Sequence, residues 1–208
     1  MILAPNETWI DLAFPLRGET LPLDHGYALF AASSRVVPAL HQGEGWGMHP
    51  VFGSRLGRGV LALNGRSFLK VRLPASAIPV LLPLAGQSLV VDGHRVSVGV
   101  PRVFPLVPAA TLKSRFVTIK KFHDEPRLFL DAVRRQVAAM AGLGQDAERL
   151  AISIGPRRVA RVADRTIVGF PVVIEGIEPT TSLLLQREGV GGRRHMGAGI
   201  FVPPGRIA

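Results

Sequence analysis

The 208-residue chain contains no cysteine, which removes disulfide frameworks, thiolate metal sites and cysteine nucleophiles from consideration. It also lacks a His-Glu-x-x-His, Asp-x-Asp or paired-carboxylate pattern, the ligand sets that divalent-metal hydrolysis draws on. The expectation is therefore no metal and no cofactor. No Gly-x-Ser-x-Gly elbow is present, so acyl transfer has little support. Charges, glycines and prolines interrupt every apolar run before the ~18 residues of a membrane span. The first residues have no basic segment followed by an apolar core, so a cytoplasmic protein without a membrane partner is expected.

What the chain has in excess is positive charge. Lys and Arg number 25 against 15 Asp and Glu, a net charge of +10. Residues 1–107 carry 9 basic and 6 acidic residues, whereas residues 108–208 carry 16 and 9. The second half holds most of the excess, and 21 of the 25 cations are arginine. That preference suits planar, bidentate contacts with phosphate, so an anionic polymer is the natural partner.

The periodicities fall into two similar series. Thr8 to Phe14 alternates as a strand, Asp24 can cap a helix running to about Leu40, and a glycine-rich loop follows from Gln42 to Gly59. Val60 to Leu63 and Ser67 to Leu73 flank Asn64-Gly65, the strongest short hairpin signal. A short helix from Pro74 to Leu84 precedes a hairpin, Ser88 to Val91 and Arg95 to Val98. In the second half, Arg115 to Lys120 reads as a strand. A helix from Glu125-Pro126, with Phe129, Val133, Val137 and Met140 on one face, ends at Gly142 to Gly144. Leu150 to Ile154, Arg157 to Val162, Thr166 to Ile174 and Ile200 to Val202 read as strands, with a helix from Pro179 to Glu188. Both halves follow the βαββαβ plan. The expected fold is α+β, two tandem ferredoxin-like units of residues 1–107 and 108–208.

Residues 189–199 form the densest motif: Gly189, Gly191, Gly197 and Gly199 make a Gly-x-Gly, five-residue, Gly-x-Gly pattern around Arg193, Arg194 and His195. Such turns can aim successive N–H groups at an anion while arginines supply charge. A helix precedes the loop and a strand follows it, the reverse of a dinucleotide fingerprint. Arg157 and Arg158, with Arg161 and Arg165, suit either a phosphate-tracking strip or a solvated strand face.

Histidine can move a proton near neutral pH, and RNA brings its own 2′-hydroxyl nucleophile. His41 ends the first helix, seven residues beyond Ser34 and nearly two turns along the same face. A proton-transfer role and a helix-end cap both fit its position. His25, near the start of that helix, is a second candidate, where the dipole favours a neutral base. His49 shares an irregular loop with Trp46, whose preferred role is packing; His94 and His123 read as solvated turn residues.

On Leu21 through Leu29, Ala39-Leu40-His41, Leu84-Ala85-Gly86 with Asp92-Gly93-His94, and Leu185 through Phe201, the whole chain resembles the CRISPR-associated endoribonucleases of the Cas-six family. The resemblance is closest to their short form of about 200 residues. It implies a metal-independent enzyme that cuts precursor CRISPR RNA, with His41 as general acid or base. Where many members carry a tyrosine and a lysine, the comparable positions here hold Ser34 and Gly47, leaving Arg35 or Arg193 to stabilise charge. CRISPR repeat RNA is the implied partner, along with other effector-complex subunits. In-line attack of the 2′-hydroxyl would leave a 2′,3′-cyclic phosphate and a 5′-hydroxyl. Two other readings fit the same residues: a non-catalytic RNA-binding subunit of the same fold, and an enzyme holding a small phosphorylated ligand on the glycine loop.

Overall fold

The computed structural model describes residues 7–122, 125–143, 150–163 and 165–205. The chain divides into two compact units, Met1–Leu106 and Val107–Ala208.

In the first unit, β1 (Trp9–Arg17) is the central strand. Its even-numbered residues Ile10, Leu12, Phe14 and Leu16 are buried. In antiparallel register they share a face with Leu73, Val71 and Leu69 of β6 (Phe68–Pro74). The helix α1 (Gly26–Val36) buries Leu29, Phe30 and Ala32. Two-residue alternation in the strands and a 3.6-residue period in the helix thus converge on one core. The short β3 (Gly47–Met48) pairs with the far edge of β6. Beyond β1, and after the one-turn α2 (Ile78–Leu81), lie β8 (His94–Val98), β7 (Ser88–Val91) and, on the first part of β1, β9 (Arg102–Pro105). The order β3-β6-β1-β8 is the 2-3-1-4 order of a ferredoxin-like sheet.

Two expectations change in this unit. The first helix does not reach Leu40. Pro38 disfavours a helical conformation at the residue before it, Val37 is extended at φ −126° and ψ 85°, and a separate 3₁₀ turn runs Pro38–His41. The N-cap of α1 is His25 rather than Asp24, without a side-chain cap bond. The Asn64-Gly65 hairpin is also absent. β5 (Val60–Ala62) pairs with β2 (Thr20–Pro22) and β4 (Ser54–Gly57) in a separate small sheet, while β6 joins β1 and β3. Asn64 still turns the chain, its Oδ1 accepting the Arg66 N–H at 2.9 Å. That turn links two sheets because both edges of β6 are occupied by β1 and β3.

The second unit repeats the plan. β10 (Thr111–Val117) and β11 (Ala151–Ile154) flank the later part of β13 (Arg165–Glu175). The earlier part of β13 folds back on β12 (Arg158–Val162) as a hairpin. The expected last strand shrinks to one bridge, Lys113 to Val202. Helix α3 (Pro126–Ala141) starts with proline at N1 or N2 and ends at Gly142, whose φ of 65° is the left-handed conformation glycine tolerates best. It buries Phe129, Val133 and Val137 against Phe170, Val172 and Ile174, and the Phe129 and Phe170 rings lie 4.7 Å apart. Helix α4 (Pro179–Glu188) ties down the entry to the unit: Gln186 donates to the Val107 carbonyl at 2.9 Å, and Ser182 Oγ accepts the Ala109 N–H at 3.0 Å. The α+β, tandem ferredoxin-like architecture is therefore present. Among the described residues no helix is long and apolar enough to cross a membrane.

Candidate active site and nucleic-acid interface

Pro38 sets the position of His41. It ends α1, starts the 3₁₀ turn, and so places His41 beyond the last helical residue instead of on a continuing helix face. The imidazole is exposed and meets the buried Phe30 ring edge-on, with centroids 4.9 Å apart and planes 77° apart. Such a contact restricts the ring while the residue stays exposed. Arg35, exposed in the last turn of α1, reaches the Val90 carbonyl at 3.4 Å.

Ser34 does not join His41 as the sequence suggested. The break at Val37 removes the helical periodicity relating them, and Ser34 is buried with an unpaired Oγ. The candidacy of His25 as a base fails on geometry. Only 2% of His25 is exposed; its Nδ1–H donates to the Pro22 carbonyl at 2.9 Å, and its Nε2 accepts the Val51 N–H at 2.8 Å. With both nitrogens committed, it pins the start of α1 to the loop after β3. Trp46 lies over Gly43, where a Cβ would come 2.2 Å from the indole, so its role is packing.

His49 lies in irregular backbone just past β3, as the sequence suggests, but it is not at the surface. It is buried and, through Nε2, donates to Asp11 Oδ1 at 3.0 Å. The Arg72 guanidinium grips the same carboxylate at 2.8 and 3.0 Å. Asp11 and Arg72 are directly opposite in the β1–β6 register. Burial alone would raise the Asp11 pKa, but the charges and hydrogen bonds of His49 and Arg72 pull it far below the carboxylate range. Burial pushes His49 the other way, down to about 4, despite the Asp11 carboxylate. At neutral pH His49 is thus uncharged, and Arg72 supplies the balancing charge. This network has no counterpart among the sequence expectations. Its one signal is a carboxylate between Ile10 and Leu12 in an otherwise apolar strand.

The glycine loop departs from the expected cradle. Of its backbone N–H groups, those of Gly189, Val190, Gly191, Gly192, Met196, Gly197, Ala198 and Gly199 all donate within the protein. Gly192 and Gly199 bond to the carbonyls of Thr118 and Phe116, and Gly191 to Gln136 Oε1 on α3. The glycines serve close docking: a Cβ on Gly191 would sit 2.3 Å from the Thr118 carbonyl oxygen, and one on Gly199 equally close to that of Val190. Their N–H groups are therefore not an anion hollow. The residues the loop turns outward are Gly192, Arg193 and His195, all exposed. Arg194 is only 9% exposed and packs over Gly189, so it belongs to the loop's scaffold.

The segment that anchors this loop also anchors the arginine hairpin. Thr118 Oγ1 donates to the Val168 carbonyl at 2.8 Å, and Gly169 passes so close to the Val117 carbonyl that a Cβ would be 2.1 Å from it. Gly169 is the register partner of Arg158. Exposed Arg157 and half-buried Arg158 therefore belong to a hairpin held by the Phe116–Thr118 segment, on whose carbonyls the glycine loop also docks. His94 is not simply solvated: its Nδ1 lies 2.8 Å from Thr20 Oγ1. His123 lies outside the described residues.

The Cas6 Crispr family model matches residues 10–206. The CRISPR-associated endonuclease Cas6 of Myxococcus xanthus (strain DK1622) is 40% identical over 200 residues, which is 96% of this chain and 84% of that protein. A solved RAMP protein described as binding different RNA substrates superposes with a TM-score of 0.67 at 12% identity, covering 92% of this chain and 98% of its own. The product of a Cas6-related gene from Pyrococcus furiosus gives 0.65 at 15% identity, covering 97% and 100%. At those identities the structures establish a shared fold. The extent of the family match and the identity to the Myxococcus protein establish more: this chain belongs to the Cas6 family of CRISPR-associated endonucleases.

Proposed function

We propose that the protein is a metal-independent endoribonuclease that cuts precursor CRISPR RNA within its repeats. The observation that carries this reading is His41: an exposed imidazole held edge-on to Phe30 at the end of a proline-initiated turn. RNA supplies the nucleophile, so one positioned proton carrier and nearby positive charge are enough to start the reaction. The 2′-hydroxyl attacks the adjacent phosphorus in line, the P–O5′ bond breaks, and the products are a 2′,3′-cyclic phosphate and a 5′-hydroxyl. His41 takes the proton from the 2′-oxygen or returns one to the departing 5′-oxygen. Arginine stabilises the extra negative charge of the transition state, and Arg35 is the cation nearest in sequence on the same helix end.

Binding falls to the second unit. Arg193 and His195 on the outer turn of the glycine loop, with Arg157 and Arg158 on the hairpin, offer side chains to the RNA backbone. Gly189, Gly191, Gly197 and Gly199 contribute by docking the loop, not by touching phosphate. Ser34 and His25 have no part in the chemistry because they are buried, and Arg194 supports the loop from within.

A short repeat RNA incubated with the protein in EDTA tests the whole reading. Cutting at one site with a cyclic-phosphate end is expected. A requirement for Mg²⁺, or tight binding without any cut, overturns it.

A further inference from the structure

The first unit has a second polar site, on the sheet face opposite α1. Leu16, Leu89, Val96 and Val98 are buried on the core side. Alternation therefore puts Arg17, Ser97 and Ser88 on the other face. There they form one row across β1, β8 and β7 (Arg17 opposite Ser97, Ser97 opposite Ser88). Arg95, two residues before Ser97, extends the same face. Gly18 lets the chain turn tightly here, since a Cβ on it would lie 2.8 Å from the Arg95 carbonyl oxygen. That turn brings Thr20 to His94, whose Nδ1 lies 2.8 Å from the threonine hydroxyl. Together these residues and Glu19 line a pocket of about 490 Å³.

Its chemistry is specific. Two guanidinium groups from neighbouring strands suit a phosphate diester or monoester. The Thr20 hydroxyl, 2.8 Å from Nδ1, orients the His94 ring, and in the tautomer where that hydroxyl donates, Nε2–H is a donor for the ligand. Serine hydroxyls suit ribose oxygens. Glu19 argues against a bare anion, because a carboxylate opposes phosphate but accepts hydrogen bonds from ribose hydroxyls or base amino groups. The volume lies in the range of sites for single small ligands and matches one nucleotide better than a duplex groove.

We propose that this pocket receives one ribonucleotide of the RNA strand, at a position separate from the cut phosphate, with its phosphate between Arg17 and Arg95 and against His94. It acts as a register stop: filling it fixes how far the strand extends from His41. The inference rests on the reading that the protein works on RNA.

The test follows His94 directly. Full-length protein with ¹³C-labelled histidine is titrated with adenosine 3′-monophosphate, with inorganic phosphate, and with repeat RNA. The His41→Ala protein is used for the RNA arm so that the strand stays intact. Adenosine 3′-monophosphate and RNA should both shift the His94 signals saturably and compete with each other, with phosphate at least tenfold weaker. Arg17→Ala with Arg95→Ala should abolish the nucleotide response and weaken RNA binding about tenfold. The same pair of changes should lower the salt slope by about 0.7 per lost phosphate contact. Both arginines are exposed, and Thr20→Val provides an independent variant that keeps the charges and should reduce the nucleotide response. Equal affinity for phosphate and nucleotide overturns the nucleotide assignment. Nucleotide binding that RNA neither mimics nor displaces overturns the RNA-strand assignment, and an unmoved His94 overturns the site. Failure of wild-type protein to cut repeat RNA would instead count against the nuclease reading, since the His94 response is read without cleavage.

Discussion

The two units share one strand order but have lost regular structure at different places. In the first, the second strand of the plan is reduced to Gly47–Met48, just after the turn that carries His41. In the second, the fourth strand is reduced to the Val202 bridge, just after the glycine loop. Each candidate site stands where the sheet gives way to irregular backbone, which can aim side chains that a paired strand cannot. The interiors differ as well. The first sheet encloses the Asp11–Arg72–His49 network, whereas the described core of the second is a continuous apolar cluster around Phe129 and Phe170. One βαββαβ plan thus positions His41, the proposed proton carrier, in one case and docks the glycine loop in the other.

The largest effect should come from His41→Ala, which breaks the comparison on the side of chemistry. Single-turnover cleavage should fall by about 10² to 10⁴, with RNA affinity changed less than about threefold; equal losses of rate and affinity would mean that the units do not divide the work. Next in size is Asp11→Ala, which leaves Arg72 buried without its carboxylate and should cost about 3–5 kcal/mol. Hydrogen exchange should then accelerate in β1, β3 and β6 while the strands of the second unit keep their protection.

Acid should act on the same network. The His49 pKa lies near 4 in the folded protein and near 6.5 unfolded, so the unfolded chain takes up the proton first. Stability present above pH 6.5 is therefore lost as pH falls toward about 4, and the depressed Asp11 adds further loss below the ordinary carboxylate range. Denaturant titrations at pH 7 and pH 4.5 measure the difference, and His49→Asn should flatten the histidine part.

Gly199→Ala tests the second unit. Its φ of 68° and the 2.3 Å approach to the Val190 carbonyl make a side chain strained, so the loop should undock and RNA binding weaken by roughly tenfold or more, on the order of the 1–2 kcal/mol that a left-handed backbone costs an ordinary residue. The smallest effect distinguishes adjacent arginines. Arg193→Ala should lower the salt slope of RNA binding by about 0.7–0.9 with little change in melting temperature. Arg194→Ala should do the reverse, because its side chain is part of the fold.

Much of this was legible in the chain. The apolar alternation of Ile10, Leu12 and Phe14, the Phe129-Val133-Val137 stripe and the Ser88–Val98 hairpin all have local periods that survive folding. The exposed position of His41 is compatible with its sequence context, but the helical spacing that relates it to Ser34 does not hold, because Pro38 interrupts the helix. The glycine positions were visible, whereas their purpose was not. A glycine needed for close approach to a carbonyl and one needed to expose an N–H look alike until the neighbouring strand is in place.

The sequence by itself determined the two βαββαβ series, the turn and cap glycines, and the arginine excess in the second half, because each depends on local spacing or composition. Tertiary structure alone decided that β6 pairs with β1 rather than β5, that His25, His49 and Arg194 are buried, and that Thr20 meets His94. Those outcomes depend on which distant segments compete for a strand edge or a polar atom, and packing, not local propensity, resolves that competition.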